Sequence, residues 1–203
     1  MSSYNKYIPT DFESAVIRPD MRECFIKMTQ SGNLQNMLFY GKPGTGKSSV
    51  ARLFSTNTDV IRCDSITDGA TDILKHAKRV AISRNLLDDS RRVVVLDEID
   101  RFNIAIQEKV RSLIDENSGY VTFIATTNHL SDIILALRSR LKPISFDVNP
   151  ANLTLRDQWR IRLSTIFHLE NGQEPSKEIL DYAMKYFPDG RQMVVNALTP
   201  MPF

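Results

Sequence analysis

Residues 39–48 read Phe-Tyr-Gly-Lys-Pro-Gly-Thr-Gly-Lys-Ser, and this stretch decides the fold that the rest of the chain must form. A short apolar run, Met37–Tyr40, leads into the glycine-rich loop, and a helical pattern follows over 49–54. The spacing Gly-x-x-x-x-Gly-Lys-Ser between a strand and a helix predicts a phosphate-binding loop. In such a loop the backbone N–H groups converge on phosphate oxygens at a helix N-terminus, whose dipole favours anions. The alternative is an incidental glycine-rich turn.

The residues of this loop have separate predicted roles. Lys47 is expected to reach the β- and γ-phosphates of a nucleotide, and the Ser48 hydroxyl to bind Mg²⁺. The chain contains no Asn-Lys-x-Asp guanine signature, so we expect ATP as the nucleotide and Mg²⁺ as its metal. The predicted nucleotide contacts in and beside the loop are Gly41, Lys42, Pro43, Gly44, Thr45, Gly46, Lys47, Ser48 and Ser49.

An acidic pair follows a strongly apolar strand pattern. Val93–Leu96 is continued directly by Asp97 and Glu98. At the end of a strand beside the loop, Asp97 is suited to hold Mg²⁺, and Glu98 is suited to polarise the attacking water. The alternative is a strand that ends in a solvated acidic turn. Together with the loop, the pair predicts a site that hydrolyses a nucleoside triphosphate.

Short apolar strands alternate with helical patterns over the first 149 residues. The predicted strands are Met37–Tyr40, Asp59–Cys63, Val93–Leu96, Val121–Thr126 and Ile144–Val148, and helices are predicted over Thr71–Arg84 and Ile104–Asp115. This alternation predicts an α/β fold whose parallel sheet is covered by helices on both faces. Residues 1–18 are expected to form an extended arm, because Pro9 and Pro19 limit helix formation.

After Asn149-Pro150 the apolar residues recur only at helical spacing. One helix is predicted around Leu155–Ile166, a second begins after the expected N-cap Ser176, and a third runs from Gly190 to about Leu198. We therefore predict an α/β domain over residues 1–149 and a small helical domain over residues 150–203.

The composition excludes several classes of protein. The net charge of +2 does not by itself indicate a nucleic-acid binder, and the two cysteines, Cys24 and Cys63, have no metal-binding spacing. The N-terminus lacks the apolar core of a signal peptide, and the apolar runs are too short to span a bilayer. We therefore expect a soluble, cytoplasmic protein without a membrane partner, in the host cytoplasm if a phage encodes it.

The motifs resemble those of the AAA+ family, and within it the clamp-loader ATPases of the replication factor C and phage types. Asp97-Glu98-Ile99-Asp100 is similar to the family motif D-E-x-D. The resemblance extends from about residue 4 to residue 200. It implies a P-loop core with a five-stranded parallel sheet flanked by helices, followed by a small helical lid.

The resemblance also implies three residues around the γ-phosphate. Asn128, at the end of a strand similar to the sensor-1 strand, would orient the attacking water. Arg140, in a segment similar to the family's Ser-Arg-Cys motif but with Leu141 in place of the Cys, would act in trans as an arginine finger, with Arg138 as the alternative. Arg191, in a helix similar to the sensor-2 pattern G-D-x-R-x-x-x-N-x-L, would approach the phosphates from the lid. The alternatives are an asparagine that caps a turn, a solvated basic loop and a surface arginine on a helix.

The N-terminal arm is similar to the clamp-loader arm that packs on adenine. This similarity implies a base pocket lined by Tyr7, Ile8, Pro9 and Ile17, and Ile8 replaces the usual arginine of the arm. The alternative is an arm that only fastens its apolar residues to the core. The helix after the acidic pair resembles one at clamp-loader subunit interfaces, which makes Arg111 a candidate interface residue.

A basic stretch between Ile73 and Leu87 contains no acidic residue. Lys75, Lys78 and Arg79 lie in it, and the resemblance implies that such a helix borders DNA and contacts its phosphates. The alternative is an ordinary solvated helix face.

The leading hypothesis is an ATPase of the clamp-loader type. Its implied partners are primed or double-stranded DNA, a sliding clamp and other clamp-loader subunits, within a homo- or hetero-oligomer. One alternative is another AAA+ DNA remodeller, such as a helicase loader or a branch-migration motor. A second alternative is a non-catalytic scaffold whose assembly ATP controls. Because the chain ends five residues after Leu198, we expect no collar domain.

Overall fold

The computed structural model describes residues 6–54, 60–62, 92–119 and 121–199, and its sheet contains five strands. They are β1 (Met37–Tyr40), β2 (Val60–Arg62), β3 (Arg92–Asp97), β4 (Val121–Thr127) and β5 (Lys142–Ser145). Their order in the sheet is β2-β3-β4-β1-β5, and every neighbouring pair is parallel. The predicted α/β class is therefore confirmed.

Seven α-helices are seen in the described part of the chain. They are α1 (Pro19–Gln30), α2 (Lys47–Arg52), α3 (Ile104–Asn117), α4 (Leu135–Arg138), α5 (Leu153–Asn171), α6 (Lys177–Ala183) and α7 (Gly190–Leu198). Four of them begin after side chains that accept a hydrogen bond from the first helical turn: Asn103, Asn152, Ser176 and Asp189. The predicted cap Ser176 is thus confirmed, whereas the predicted helix Thr71–Arg84 lies outside the described residues. None of the described helices has the length and apolarity that crossing a bilayer requires.

Successive side chains of a strand point to opposite faces of the sheet, and both faces are buried. On one face, Val94 and Leu96 of β3 belong to a cluster that includes Val110 and Ile114 of α3. On the other face, Val95 belongs to a cluster that also contains residues of α1, of α2 and of the N-terminal arm. Helices on both faces leave the carboxyl ends of the parallel strands as the open edge of the sheet.

A third buried cluster joins the C-terminal helices. Leu163 of α5, Ala183 of α6 and Met193 of α7 are fully buried in it. Tyr7 of the arm belongs to the same cluster, whereas Phe12 packs in the cluster beside the sheet. The arm therefore connects the α/β core with the C-terminal helices.

Two local predictions are wrong. The arm is not simply extended, because it turns at Asp11, whose Oδ1 accepts a hydrogen bond from the Ser14 N–H at 2.7 Å. The last strand begins at Lys142 rather than at Ile144 and ends at Ser145. Among the described strands it pairs with β1 alone, and at such an edge the missing N–H of Pro143 removes no inter-strand bond that the sheet requires.

Candidate functional site

The glycine-rich loop joins β1 to α2 at the open edge of the sheet. Gly44 has a φ of 76°, and a Cβ atom there would lie 2.1 Å from Asp189 Oδ1. Only glycine fits at this position, because both the backbone conformation and the neighbouring carboxylate exclude a side chain. Gly46, with a φ of 92°, turns the chain into the first residue of α2.

Lys47 is buried, and its ammonium group lies inside the loop. Its Nζ atom donates hydrogen bonds to the carbonyl oxygens of Gly41 and Lys42, both at 2.7 Å. Burial lowers the pKa of Lys47, and the nearby carboxylates, Asp147 foremost, offset part of this effect. The loop thus holds a buried ammonium group that is bonded to backbone carbonyls and faces several carboxylates.

Ser48 and Asp97 are brought together by adjacent elements. The Ser48 hydroxyl donates to Asp97 Oδ1 at 2.5 Å, and the Thr126 hydroxyl donates to the same oxygen at 2.6 Å. Asp97 Oδ2 lies 3.7 Å from Arg52 Nη2. A hydroxyl and a carboxylate oxygen side by side are ligands of the kind that Mg²⁺ prefers.

Glu98 has the backbone conformation φ 60°, ψ 52°, which is rare for a residue with a side chain. It is the only non-glycine residue with a positive φ in the part of the chain that is described. The Glu98 N–H donates to Thr126 Oγ1 at 2.9 Å, and its carboxylate pairs with Arg101 at 2.8 Å. The strand therefore ends in a sharp turn that fixes the Glu98 backbone against β4.

Asn128 follows β4 and lies beside the same turn. Its N–H donates to Asp100 Oδ2 at 3.3 Å, and the residue is half-buried. The predicted sensor asparagine is thus adjacent to the acidic motif.

A cavity lies between the arm, the loop and the C-terminal helices. Its walls include Tyr7, Pro9, Ile17, Gly44, Gly46, Ser49, Trp159, Arg162 and Val194. Three of the four predicted base-pocket residues are among them, and Ile8 is not. Arg162 Nη2 donates to the Tyr7 carbonyl at 3.1 Å, while burial and the nearby Glu170 raise the pKa of Tyr7 to about 12. The mainly apolar lining, with glycine backbone on one side, suits the flat face of a nucleobase.

Helix α7 begins against the loop. The Gly190 N–H donates to the Gly44 carbonyl at 2.9 Å, and Asp189 caps the helix by accepting from the Gln192 N–H. Arg191 is exposed in this first turn. Asn196 follows Arg191 by five positions, one more than in the sensor-2 pattern, so the position of Asn196 does not support the match.

Arg140 and Arg111 lie on a different surface, at α3. Arg140 Nε donates to Asp115 Oδ1 at 3.1 Å, and Arg111 Nη1 donates to Asp115 Oδ2 at 3.1 Å. Arg111 also pairs with Glu108 at 2.8 Å. Both arginines thus contact one carboxylate of the same chain. The predicted DNA contacts Lys75, Lys78 and Arg79 lie outside the described residues.

Sequence reasoning missed several residues of the site. Thr126 binds the Asp97 carboxylate, and Asp147 Oδ1 accepts from the Lys42 N–H at 3.0 Å. Trp159 lines the cavity, and its ring carbon would lie 2.4 Å from a Cβ atom at Gly190. A polar residue at the end of each strand beside the loop was a usable signal for Thr126 and Asp147. No local pattern indicated Trp159.

Comparison with known proteins agrees with this geometry. The family model for "ATPase family associated with various cellular activities (AAA)" matches residues 37–147, which is more than half of the chain. The chain belongs to this family. The matched region runs from β1 past β5 and contains the loop, Asp97, Glu98, Asn128 and Arg140. The family that the motifs predict is therefore confirmed.

Curated relatives of this AAA chain include replication factor C subunits. Replication factor C subunit 3 of Schizosaccharomyces pombe is 28% identical over 153 residues, which cover 71% of this chain and 45% of that protein. Replication factor C small subunit 2 of Pyrobaculum islandicum is 26% identical over 203 residues, covering 96% and 62%. The chain thus spans about half to three-fifths of the length of these relatives.

Solved structures show the same fold at lower sequence identity. A RuvB mutant from Thermotoga maritima has a TM-score of 0.70 and 17% identity, with 94% of this chain and 64% of that chain covered. Domain III of the replication initiation protein DnaA from the same organism has a TM-score of 0.67 and 12% identity, with 92% and 85% covered. At these identities the similarity concerns the fold alone.

Proposed function

We propose that this chain binds and hydrolyses ATP as a clamp-loader-type AAA+ module in DNA replication. The observation that carries the proposal is the Ser48–Asp97 contact of 2.5 Å, formed beside the buried Lys47 and one residue before Glu98. Here Lys47 would bind phosphate, the Ser48 and Asp97 oxygens would bind the metal ion, and Glu98 would act as the general base. A module that only bound nucleotide would not need all of these groups.

The residues of the chain divide the chemistry among them. The ammonium group of Lys47 would exchange the Gly41 and Lys42 carbonyls for phosphate oxygens, which suit its charge better. Glu98 would accept the proton of the attacking water, and Asn128 would orient that water. Before water binds, the Glu98 carboxylate is paired with Arg101. This pair is exposed and therefore weak, so releasing Glu98 from it would cost little free energy.

Ser48 and Asp97 fit a Mg²⁺ ion. The described residues contain no group of three or more histidine, cysteine, aspartate or glutamate side chains able to hold a metal. The ion would therefore have few protein ligands and would take its others from phosphate and water, as is usual for Mg²⁺. When bound, it would neutralise charge on the β- and γ-phosphates.

The remaining roles follow from the clamp-loader relatives. Residues 150–203 would form a lid, with Arg191 near the phosphates, and Tyr7, Pro9, Ile17 and Trp159 would enclose the base. Arg140 would enter the nucleotide site of a neighbouring subunit, with Arg111 at the same interface. Lys75, Lys78 and Arg79 would contact the DNA backbone, and primed DNA would stimulate hydrolysis. A sliding clamp and further subunits would be the partners.

Glu98→Gln tests the catalytic part of this proposal. Loss of the general base should reduce the rate of ATP hydrolysis by about 10²–10⁴-fold, because proton transfer contributes that much in typical enzymes. Single-turnover hydrolysis is measured with Mg²⁺ and primed DNA, which favour assembly, and binding of a fluorescent ATP analogue is measured in parallel. We expect binding to be unchanged, because Glu98 does not hold the phosphates.

The control is Glu23→Gln, which removes an exposed carboxylate of α1 that pairs with Lys27, and it should leave both measurements unchanged. Equal and negligible hydrolysis by the wild-type and Glu98→Gln chains would contradict catalysis and support a nucleotide-controlled scaffold. Hydrolysis that primed DNA does not stimulate would contradict only the proposed action on DNA.

A further inference from the structure

The Arg140 guanidinium is held on two sides by its own chain. Its Nε and Nη2 atoms donate to the two carboxylate oxygens of Asp115, at 3.1 and 3.4 Å. On the other side, Nη1 donates to Ser139 Oγ at 2.8 Å. Asp115 belongs to the fourteen-residue helix α3, so a long and otherwise flexible side chain is fastened to a rigid element.

We infer that Asp115 is a positioning residue that presents Arg140 to the nucleotide site of a second copy of the chain. This inference rests on the proposed function, in which Arg140 acts in trans. A planar guanidinium that pairs with both oxygens of a carboxylate has a defined direction as well as a defined place. Nη2 keeps a second N–H that this pairing does not use, and that N–H is available to a phosphate oxygen.

Asp115 is itself fixed along α3. Its Oδ2 atom accepts from Arg111 Nη1 at 3.1 Å, and Arg111 Nε donates to Glu108 at 2.8 Å. The charges therefore alternate from Glu108 through Arg111 and Asp115 to Arg140. The proposed interface residue Arg111 thus supports Asp115, and through Asp115 it supports the finger.

The opposite role, in which Asp115 withholds Arg140 from phosphate, fits the exposure less well. The side chains of Arg140 and Asp115 are 38% and 42% exposed. An ion pair that accessible is screened by water and contributes little free energy. It cannot retain the arginine against a triphosphate, but it can restrict the directions that the guanidinium samples before the phosphate arrives.

A mixing experiment isolates this role. Arg140→Ala chains have a complete nucleotide site but no finger, whereas Glu98→Gln chains have a finger but no general base. In a mixed assembly with ATP, Mg²⁺ and primed DNA, rapid hydrolysis requires a Glu98→Gln chain to donate its finger to an Arg140→Ala chain. Asp115→Asn, Asp115→Glu or the control Glu23→Gln is then added to the donor chain alone.

We expect Asp115→Asn in the donor to lower kcat by about tenfold with KM unchanged, because even a 1 Å misplacement of a catalytic group costs about 10²-fold. Asp115→Glu keeps the carboxylate and should restore most of the rate. Glu23→Gln removes an exposed carboxylate from α1, which packs on the face of the sheet opposite α3, and should leave the rate as it was. Damage to the donor's own nucleotide site cannot explain this order of rates, because that site is inactive in every mixture.

Two results would overturn the inference alone: a Glu98→Gln donor that supports hydrolysis equally with and without Asp115→Asn, or one that supports it better with that substitution. The second result would show that Asp115 restrains the finger. A Glu98→Gln donor that restores no hydrolysis to Arg140→Ala chains would instead refute the trans-acting finger of the proposed function, and the role of Asp115 with it.

Discussion

The phosphate-binding loop and the Arg140 surface are built in opposite ways. Lys47 and Asp97 are only 6% and 8% exposed, and each has its hydrogen-bond partners within the chain. Arg140 is exposed and is held by an ion pair that water screens. The groups suited to bind a nucleotide are thus enclosed in one chain, whereas the group suited to stabilise the transition state is presented outward.

This difference separates binding from hydrolysis. Buried hydrogen bonds to charged groups are costly to leave unmade, so the loop region should keep its form in an isolated chain. An exposed ion pair is weak and easily exchanged, so the arginine can change partners when a neighbouring copy arrives. We therefore expect the chain to bind ATP alone and to hydrolyse it rapidly only beside another subunit.

Arg140→Ala should have the largest effect, and this effect should be on the rate of ATP hydrolysis alone. We expect hydrolysis under assembled conditions to fall by about 10³-fold or more, the range found for arginine fingers in GTPases, because charge on the γ-phosphate loses its partner. Affinity for ATP measured on the isolated chain should not change. Steady-state hydrolysis with Mg²⁺ and primed DNA, together with equilibrium binding of an ATP analogue, provides both values.

Arg138→Ala is the matched variant, because Arg138 belongs to the same basic segment but is half-buried at the end of α4. Arg138→Ala should retain most of the hydrolysis rate. If it lost the activity and Arg140→Ala did not, the finger would be Arg138. A fall in ATP affinity of isolated Arg140→Ala chains would contradict the separation of the two regions.

Gly190→Ala should have a smaller effect, which should be on ATP binding, because it disturbs the junction between α7 and the phosphate-binding loop. The new Cβ atom would lie 2.4 Å from a ring carbon of Trp159 and would strain the Gly190 N–H contact with Gly44. Overpacking of this kind costs about 1–3 kcal/mol. If α7 moves away from the loop to relieve the strain, ATP binding must restore the packed position, and about 1.4 kcal/mol of that cost corresponds to a tenfold loss of affinity. We therefore expect about tenfold weaker ATP binding, measured by equilibrium titration.

The chain offers a close control and a direct probe for this change. A Cβ atom at Gly119 meets nothing within 4 Å, so Gly119→Ala should bind ATP normally. Trp159 is the single tryptophan of the chain, so its fluorescence reports on the same junction without a label. Unchanged affinity and unchanged fluorescence in Gly190→Ala would show that α7 and the loop are not coupled through this contact.

Local patterns predicted the strands beside the phosphate-binding loop. These strands are short apolar runs buried on both faces; Asp97 ends β3 and Glu98 follows it, whereas Lys47 and Ser48 begin α2 directly after the loop. The edge strand was less predictable, because pairing on one side only lets it begin at Lys142 and include Pro143. The turn at Asp11 depends on one side-chain hydrogen bond that no periodicity reveals.

Contacts between distant elements could not be predicted. Asp115 and Arg140 are 25 residues apart, and only the packing of α4 on α3 brings them together. Trp159 looks like an ordinary apolar position of a helix, and its place in the cavity depends on how α5 lies against the loop. The prediction that Ile8 lines the base pocket was wrong: its neighbours Tyr7 and Pro9 line the cavity, but Ile8 does not.

Tyr7→Phe should produce the smallest effect, which should be on the pH dependence of stability. It tests how well the N-terminal arm closes the cavity beside the phosphate-binding loop. Burial and Glu170 raise the pKa of Tyr7 from 10.0 to about 12. Because the folded pKa is the higher one, this stabilisation is complete below pH 10 and is lost as the pH rises from 10 towards 12, where the unfolded chain already ionises. Urea denaturation midpoints across this interval should therefore fall less steeply for Tyr7→Phe than for the wild type. Equal slopes would mean that water reaches the Tyr7 hydroxyl, and the cavity beside it would then be an open cleft rather than an enclosed part of the binding region.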